Sequence, residues 1–113
     1  MSKQLEKLFN KASQLTEGTV KVNGRQWDMY SRDYEELREK YAVEVTNEDG
    51  ARVMTFRHWG TETAILKAGK LVDVYGESKS DADSVQQFLN TFASGDYETH
   101  FYPVNGGFVC EEA

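Results

Sequence analysis

Residues 53–75 read VMTFRHWGTETAILKAGKLVDVY. Runs of β-branched and aromatic residues in this stretch, separated by glycine-containing turns, predict three strands: Val53–Trp59, Thr63–Lys67 and Leu71–Tyr75. The run from Tyr41 to Val45, which leads into a turn at residues 47–50, adds a fourth strand. Connections this short favour antiparallel pairing, because a parallel crossover needs a dozen or more residues. The chain is therefore expected to contain a four-stranded antiparallel meander.

A helix and a hairpin are expected before the meander. Ser2 can cap a helix that Gly18 ends. The apolar positions of this helix share one face: Leu5, Leu8, Phe9, Ala12 and Leu15. Asn23-Gly24, between two β-prone runs, is a strong hairpin signal because both turn positions need positive φ. A two-residue turn at this place pairs Val20 with Trp27.

Two further helices and a second hairpin complete the predicted elements. The helical spacing of Tyr34, Leu37 and Tyr41 predicts a short helix from Arg32 to Lys40. Ser80, with Asp83 three residues later, resembles a capping box for a helix over residues 81–93. A last hairpin joins Tyr97–Tyr102 to Phe108–Cys110 through residues 103–107. The predicted fold is α+β, one domain over residues 1–113 with a mainly antiparallel β-sheet (hairpin, four-stranded meander, C-terminal hairpin) and two to three helices.

The composition is that of a small acidic protein. The chain has 113 residues, which is room for one core, and 39% of them are hydrophobic. Its 19 acidic and 13 basic residues give a net charge of −6. This charge repels nucleic acid and favours a basic partner surface. The alternative is that the charge only keeps the protein soluble.

The cysteine content and the hydropathy of the chain indicate its cellular compartment. Cys110 is the single cysteine, so the chain forms no internal disulfide and has no cysteine cluster for zinc. The first residues lack the apolar stretch of a signal peptide, and no run approaches the roughly 20 apolar residues of a membrane span. The expected location is the cytoplasm, with no membrane contact.

The segment Arg57-His58-Trp59-Gly60-Thr61-Glu62 is the first candidate site. A two-residue turn at Gly60-Thr61 places Trp59 opposite Glu62, with Arg57 on the same face. Arg57 can then stack on the indole and pair with Glu62, which makes a small recognition platform. The alternative is a structural cross-strand cluster that stiffens the hairpin.

The segment from Tyr75 to Ser84 is the second candidate site. Asp81 and Asp83 fall in the first turn of a helix, where the free N–H groups and the dipole favour carboxylates. A metal interpretation adds Glu77 and His58, but the spacing matches no calcium loop, and no phosphate-binding glycine pattern occurs. We therefore expect helix capping, with no metal and no cofactor.

Nucleophilic catalysis is not expected. Cys110 lies in a predicted strand without an activating base nearby in sequence, which is typical of a small buried side chain. His58 alternates with Met54 and Phe56, which places it on a sheet face. With His100 as the remaining histidine, the sequence predicts a protein that is not an enzyme.

An acidic and aromatic stretch is the expected partner-binding surface. Its carboxylates and tyrosines are Asp33, Glu35, Glu36, Glu39, Tyr30 and Tyr34. Clustered charge accelerates association with an oppositely charged groove, and tyrosine adds contact area at low entropy cost. The alternative is a solvated helix face whose charges pair with the interleaved basic residues.

The two candidate segments also carry a resemblance. RHWGTE at residues 57–62 and YGESxSDxDSxxxFL at residues 75–89 resemble a pattern in small uncharacterised bacteriophage proteins of Gram-positive hosts. In size, charge and α+β composition the chain is similar to inhibitors of CRISPR nucleases. The resemblance implies either an accessory protein or an inhibitor of a host system. We expect a non-enzymatic anti-defence inhibitor in the bacterial cytoplasm, with a host nuclease or CRISPR effector as partner.

A nucleic-acid-binding accessory protein is the alternative function. Its contacts would be Arg52, Arg57, Lys67 and Lys70 on the meander, with Trp59 and Tyr75 as stacking surfaces.

Overall fold

The computed structural model describes residues 1–102 and 107–113. It confirms the α+β class and the mainly antiparallel sheet. The helices and strands, in chain order, are α1 (Lys3–Ser13), β1 (Gly18–Gly24), β2 (Trp27–Asp28), β3 (Asp33–Tyr34), β4 (Arg38–Glu48), β5 (Ala51–His58), β6 (Thr61–Lys67), β7 (Lys70–Val74), α2 (Lys79–Phe92), β8 (Tyr97–Tyr102) and β9 (Gly107–Glu112). No helix among the described residues is long and apolar enough to cross a membrane.

The predicted meander is confirmed as strands β4 to β7. With β1 they form a five-stranded sheet in the order β1-β4-β5-β6-β7, and every pairing is antiparallel. Three tight turns join the meander strands, at Asp49-Gly50, Trp59-Gly60 and Ala68-Gly69. Both residues of each turn have positive φ. This conformation matches the right-handed twist of the strands, which is why each turn ends in glycine.

The predicted hairpin at Asn23-Gly24 is wrong. Strand β1 pairs with β4, with Val20 opposite Val43, and Trp27 belongs to a separate two-stranded ribbon with Tyr34. In this arrangement Val20 and Val22 pack against the core. Burial of β-branched side chains against a central strand outweighs the local turn preference.

The predicted helix from Arg32 to Lys40 is also wrong. Asp33–Tyr34 is strand β3, and residues from Arg38 onward belong to β4. Strand β4 pairs with β1 on one side and β5 on the other, so its backbone groups are satisfied by long-range partners. A short isolated helix supported by i,i+4 ion pairs is marginal by comparison.

Both long helices cover the same face of the sheet. Phe56 of β5 packs edge-on against Phe9 of α1, with ring centroids 5.7 Å apart, and stacks on Phe88 of α2 at 5.0 Å. All three rings are fully buried. Tyr41, Val43 and Val45 of β4 extend this core, as their alternation predicts.

The helix ends differ in part from the prediction. Ser2 caps α1 as expected, accepting a hydrogen bond from Leu5 N at 3.2 Å, but the helix ends at Ser13 and not at Gly18. Helix α2 begins two residues earlier than predicted, because Ser78 is its cap and accepts from Asp81 N at 3.0 Å. Ser80 therefore lies inside the helix, and the capping box with Asp83 does not form.

The C-terminal hairpin is confirmed as β8 and β9, although turn residues 103–106 lie outside the described residues. Gln86 of α2 attaches the hairpin to the helix. Its Oε1 accepts from Thr99 N and its Nε2 donates to Tyr97 O, both at 2.8 Å. Phe108 of β9 packs against Gly76, where an added Cβ would lie 2.0 Å from the ring.

Gly76→Ala should therefore destabilise the fold. The methyl group overlaps a buried ring that has little room to move, and overpacking of this kind costs about 1–3 kcal/mol. Chemical denaturation measures the effect. Gly95→Ala is the matched control, because the nearest atom to its Cβ would be 3.9 Å away. Equal unfolding midpoints for the two variants would contradict the packing of Phe108 on Gly76.

Candidate functional site

Residues 25–37, which include strands β2 and β3, form a small ribbon that is separate from the five-stranded sheet. Glu35 N donates to Gln26 O at 2.8 Å and closes the base of the ribbon. Asp28 shapes the loop between the strands, accepting from Tyr30 N at 2.9 Å and from the Ser31 hydroxyl at 3.1 Å. Hydrogen bonds of this local type let a short polar loop hold a defined shape.

The ribbon carries an unusual share of the exposed apolar surface. Ten large apolar side chains are exposed in the described part of the chain, and five of them lie between residues 27 and 37: Trp27, Met29, Tyr30, Tyr34 and Leu37. Tyr30 is 100% exposed and Met29 80%. Trp27 and Tyr34 contact each other edge to face at 5.1 Å. Clustered exposed apolar side chains mark interaction surfaces, whereas scattered ones need no explanation.

The predicted acidic residues lie on or beside this ribbon. Asp33 accepts from Tyr34 N at 2.8 Å, and Glu35 lies 3.8 Å from Arg38. Glu36 is exposed. Glu39 is different, because it lies at the start of β4 and pairs with Arg57 at 3.1 Å. The structure therefore groups three of the four predicted carboxylates with Tyr30 and Tyr34, on a ribbon and not on a helix.

The recognition platform predicted from Arg57, Trp59 and Glu62 does not form as expected. The turn is Trp59-Gly60, so Arg57, not Trp59, lies opposite Glu62. The guanidinium over the Trp59 indole belongs to Arg38, at 4.7 Å from the ring centroid. The turn begins one residue earlier than predicted, because Trp59 adopts the first positive-φ turn position, which the sequence pattern assigned to Gly60. The partner of Glu62 therefore changes by two residues.

Three of the four cations proposed for nucleic acid have protein partners. Arg52 donates to the carbonyl oxygens of Ala12 and Leu15, at 3.0 and 2.9 Å. Arg57 pairs with Glu39, and Lys67 lies 3.3 Å from Glu48. Lys70 is exposed at the edge strand β7. Tyr75 is exposed and donates its hydroxyl proton to Glu77.

His58 and Asp81 bring the two candidate segments together. The Asp81 carboxylate lies 2.6 Å from His58 Nδ1, and His58 is only 5% exposed. One face of the imidazole stacks on Tyr41, with centroids 4.7 Å apart. His58 lies on the inner sheet face with Met54 and Phe56, as its alternation predicts. Asp81 therefore joins β5 to the first turn of α2.

Asp81 is held in its ionised form. Burial acts to raise the pKa of its carboxyl group, but hydrogen bonds from Glu77 N, His58 and Ser78 outweigh burial and leave the pKa below its ordinary value. The Glu77 N–H donates to the second carboxylate oxygen at 3.0 Å. Burial, followed by the nearby Asp81 charge, raises the pKa of Tyr41.

A cleft opens beside this pair. Its volume is about 450 Å³, and its lining comes from three parts of the chain: Gln26, His58, Trp59, Thr61, Glu77, Ser78, Ser80 and Asp81. The base of the ribbon, the β5–β6 turn and the start of α2 thus meet at one place. These three parts are far apart in the sequence, so no local sequence pattern connects them.

The other titratable candidates lie on the C-terminal hairpin. Burial raises the pKa of the Cys110 thiol to about 11, which disfavours the thiolate that a nucleophile requires. His100 is exposed between Glu98 and Glu111, at 3.9 Å from each. Among residues 1–102 and 107–113, no group of three His, Cys, Asp or Glu side chains is placed to hold a metal ion.

Comparisons with protein-family models, curated proteins and solved structures find no match to this chain.

Sequence reasoning missed several of the residues that the structure brings together. The acidic stretch led to Tyr30 and Tyr34, but Trp27 was expected in a hairpin with Val20, Leu37 was expected in a helix, and Met29 was not singled out. The pairing of His58 with Asp81 had no signal at short range, because 22 residues separate them along the chain. The available sequence signal was the unusual composition of the two candidate segments, residues 57–62 and residues 75–84. It marked each segment separately and gave no sign that they contact each other.

Asp81→Asn should destabilise the protein at neutral pH by about 1–3 kcal/mol, because the amide oxygen replaces only one of the two carboxylate oxygens that accept hydrogen bonds from His58 and Glu77 N. The folded-state pKa of Asp81 is depressed, so its contribution is present above the unfolded pKa, about 3.9, and is lost as the pH falls through the folded-state value. Unfolding free energies of both proteins at pH 5 and pH 3 check this. A difference that does not shrink between these two pH values would contradict it.

Proposed function

We propose that this protein is a non-enzymatic binding protein whose ribbon, residues 25–37, docks on a basic groove of another protein. The observation that carries the proposal is the concentration of five exposed large apolar side chains within residues 27–37. The core does not use them, because both helices cover the sheet and leave the ribbon in solvent.

The ribbon has the composition of an interface. Aromatic side chains and methionine are enriched in interface cores, and a rigid aromatic pair loses little entropy on binding. Trp27 and Tyr34 already contact each other, which limits their motion before a partner arrives. Met29 and Tyr30, at the end of the ribbon, can enter a pocket without unfolding any other element.

The charge of the protein favours a basic partner. Its net charge is −6, and the exposed carboxylates of Glu35 and Glu36 follow directly after Tyr34. Of the cations available for nucleic acid, Arg52, Arg57 and Lys67 already have partners, which favours a protein target over nucleic acid. Opposite charge accelerates docking and makes it sensitive to salt.

A nucleic-acid-handling protein supplies such a groove. Channels that hold nucleic acid combine cationic side chains with aromatic stacking surfaces, so carboxylates beside exposed rings are complementary to them. The resemblance to small bacteriophage proteins adds a biological context, since a phage protein that blocks such a channel would inhibit a host defence nuclease. We therefore propose an anti-defence inhibitor that acts in the bacterial cytoplasm on a host nuclease or CRISPR effector.

The paired substitution Met29→Ser with Tyr30→Ser should weaken nuclease binding at least about tenfold, as the loss of an interface hot spot does. Both side chains are exposed, and the loop hydrogen bond at Tyr30 uses its backbone N–H, so the fold should persist. Purified guide-loaded CRISPR nucleases are passed over the immobilised protein at two salt concentrations, and DNA cleavage is measured alongside.

The control is Val72→Ser with Tyr102→Ser, which removes two exposed apolar side chains from β7 and β8. It should bind like the wild type. Equal losses in both variants would contradict the role of the ribbon. Failure of the wild-type protein to retain or inhibit any nuclease would contradict the anti-defence function.

A further inference from the structure

The cleft between the ribbon base and α2 has a distinct chemical character. Of its eight lining residues, two are acidic, Glu77 and Asp81, and none is lysine or arginine. The remaining polar groups are the Gln26 amide, the hydroxyls of Thr61, Ser78 and Ser80, and His58. A volume of about 450 Å³ accommodates one long side chain or a small molecule.

His58 contributes an unused acceptor to this cleft. Its Nδ1 donates to the ionised Asp81, so in the neutral imidazole Nε2 has a lone pair and no proton. Among the described residues Nε2 has no hydrogen-bond partner, although the side chain is 95% buried and lines the cleft. Nε2 is not one of the fully buried unpaired atoms of the described residues, so it is open to the cleft, where a ligand or water can donate a hydrogen bond to it.

The chemistry of the cleft lining favours a cation that carries several hydrogen-bond donors. The carboxylates of Glu77 and Asp81 and the Nε2 atom of His58 are acceptors, and the Trp59 indole adds an aromatic surface. A guanidinium group matches this set, since it offers five N–H donors, carries a permanent charge and stacks on aromatic rings. Arg38, which does not line the cleft, already stacks on Trp59 in this way.

We propose that the cleft is a binding site for a guanidinium group, presented by an arginine side chain of the partner protein. The proposal rests on the proposed function for the source of that arginine. The cleft adjoins Gln26 at the base of the ribbon, so a basic surface that receives the ribbon also reaches the cleft. The two contacts then act together, one apolar and one charged.

Titration of the isotope-labelled full chain with N-acetyl-arginine amide, followed by NMR, tests the cleft without the partner. The signals of the His58 ring and the Trp59 indole should shift with saturation. The neutral isostere N-acetyl-citrulline amide should bind about tenfold more weakly, because charge-assisted hydrogen bonds are roughly twice as strong as neutral ones. Equal binding of both probes, or no saturable shift with the arginine probe, would overturn the proposal.

Two variants keep this test separate from the proposed function. Glu77→Gln, at an exposed position, removes one charge from the cleft and should weaken the arginine probe while the fold persists. The ribbon variant with serine at positions 29 and 30 should bind the probe like the wild type. If that variant loses nuclease binding but the arginine probe never binds, the cleft proposal fails and the ribbon proposal stands.

Discussion

The contact of Phe56 with Phe88 and Phe9 determines the rest of the structure. Phe56 lies on β5, the central strand of the sheet, and the two helical rings cover it from the same side. Aromatic side chains bury large apolar areas and dominate the energetics of a protein core. Because both helices are engaged at this cluster, neither remains to cover residues 25–37, and the ribbon stays in solvent.

The hydrogen bond between His58 and Asp81 continues this contact along the same strand. Phe56 and His58 share the inner face of β5, and both meet α2, one at Phe88 and one at the first turn of the helix. The helix cap, the inner sheet face and the cleft are thereby connected. A charged group at this edge of the core is stabilised by hydrogen bonds to both carboxylate oxygens, which offset the cost of burial.

The elements that could be predicted are those with local physical causes. The meander followed from alternating side chains and glycine turns, and α1 followed from Ser2 and its apolar face. The predicted helix from Arg32 to Lys40 was wrong because strand β4 pairs with two strands that lie far away in sequence. The spacing of Tyr34, Leu37 and Tyr41 carries no information about these long-range partners. In the site, the tyrosines and carboxylates were found by composition, whereas Trp27 and His58 depend on tertiary pairing.

The ribbon and the cleft together form a surface with an apolar end and a charged base. The hydrophobic core forms without either of them. The most direct test is hydrogen–deuterium exchange of the protein alone and in complex with a nuclease that retains it. The account predicts slower exchange in the complex at residues 26–37 and 58–61, with β7 and β9 unchanged. Protection of β7 or β9, with the ribbon exchanging as in the free protein, would contradict it.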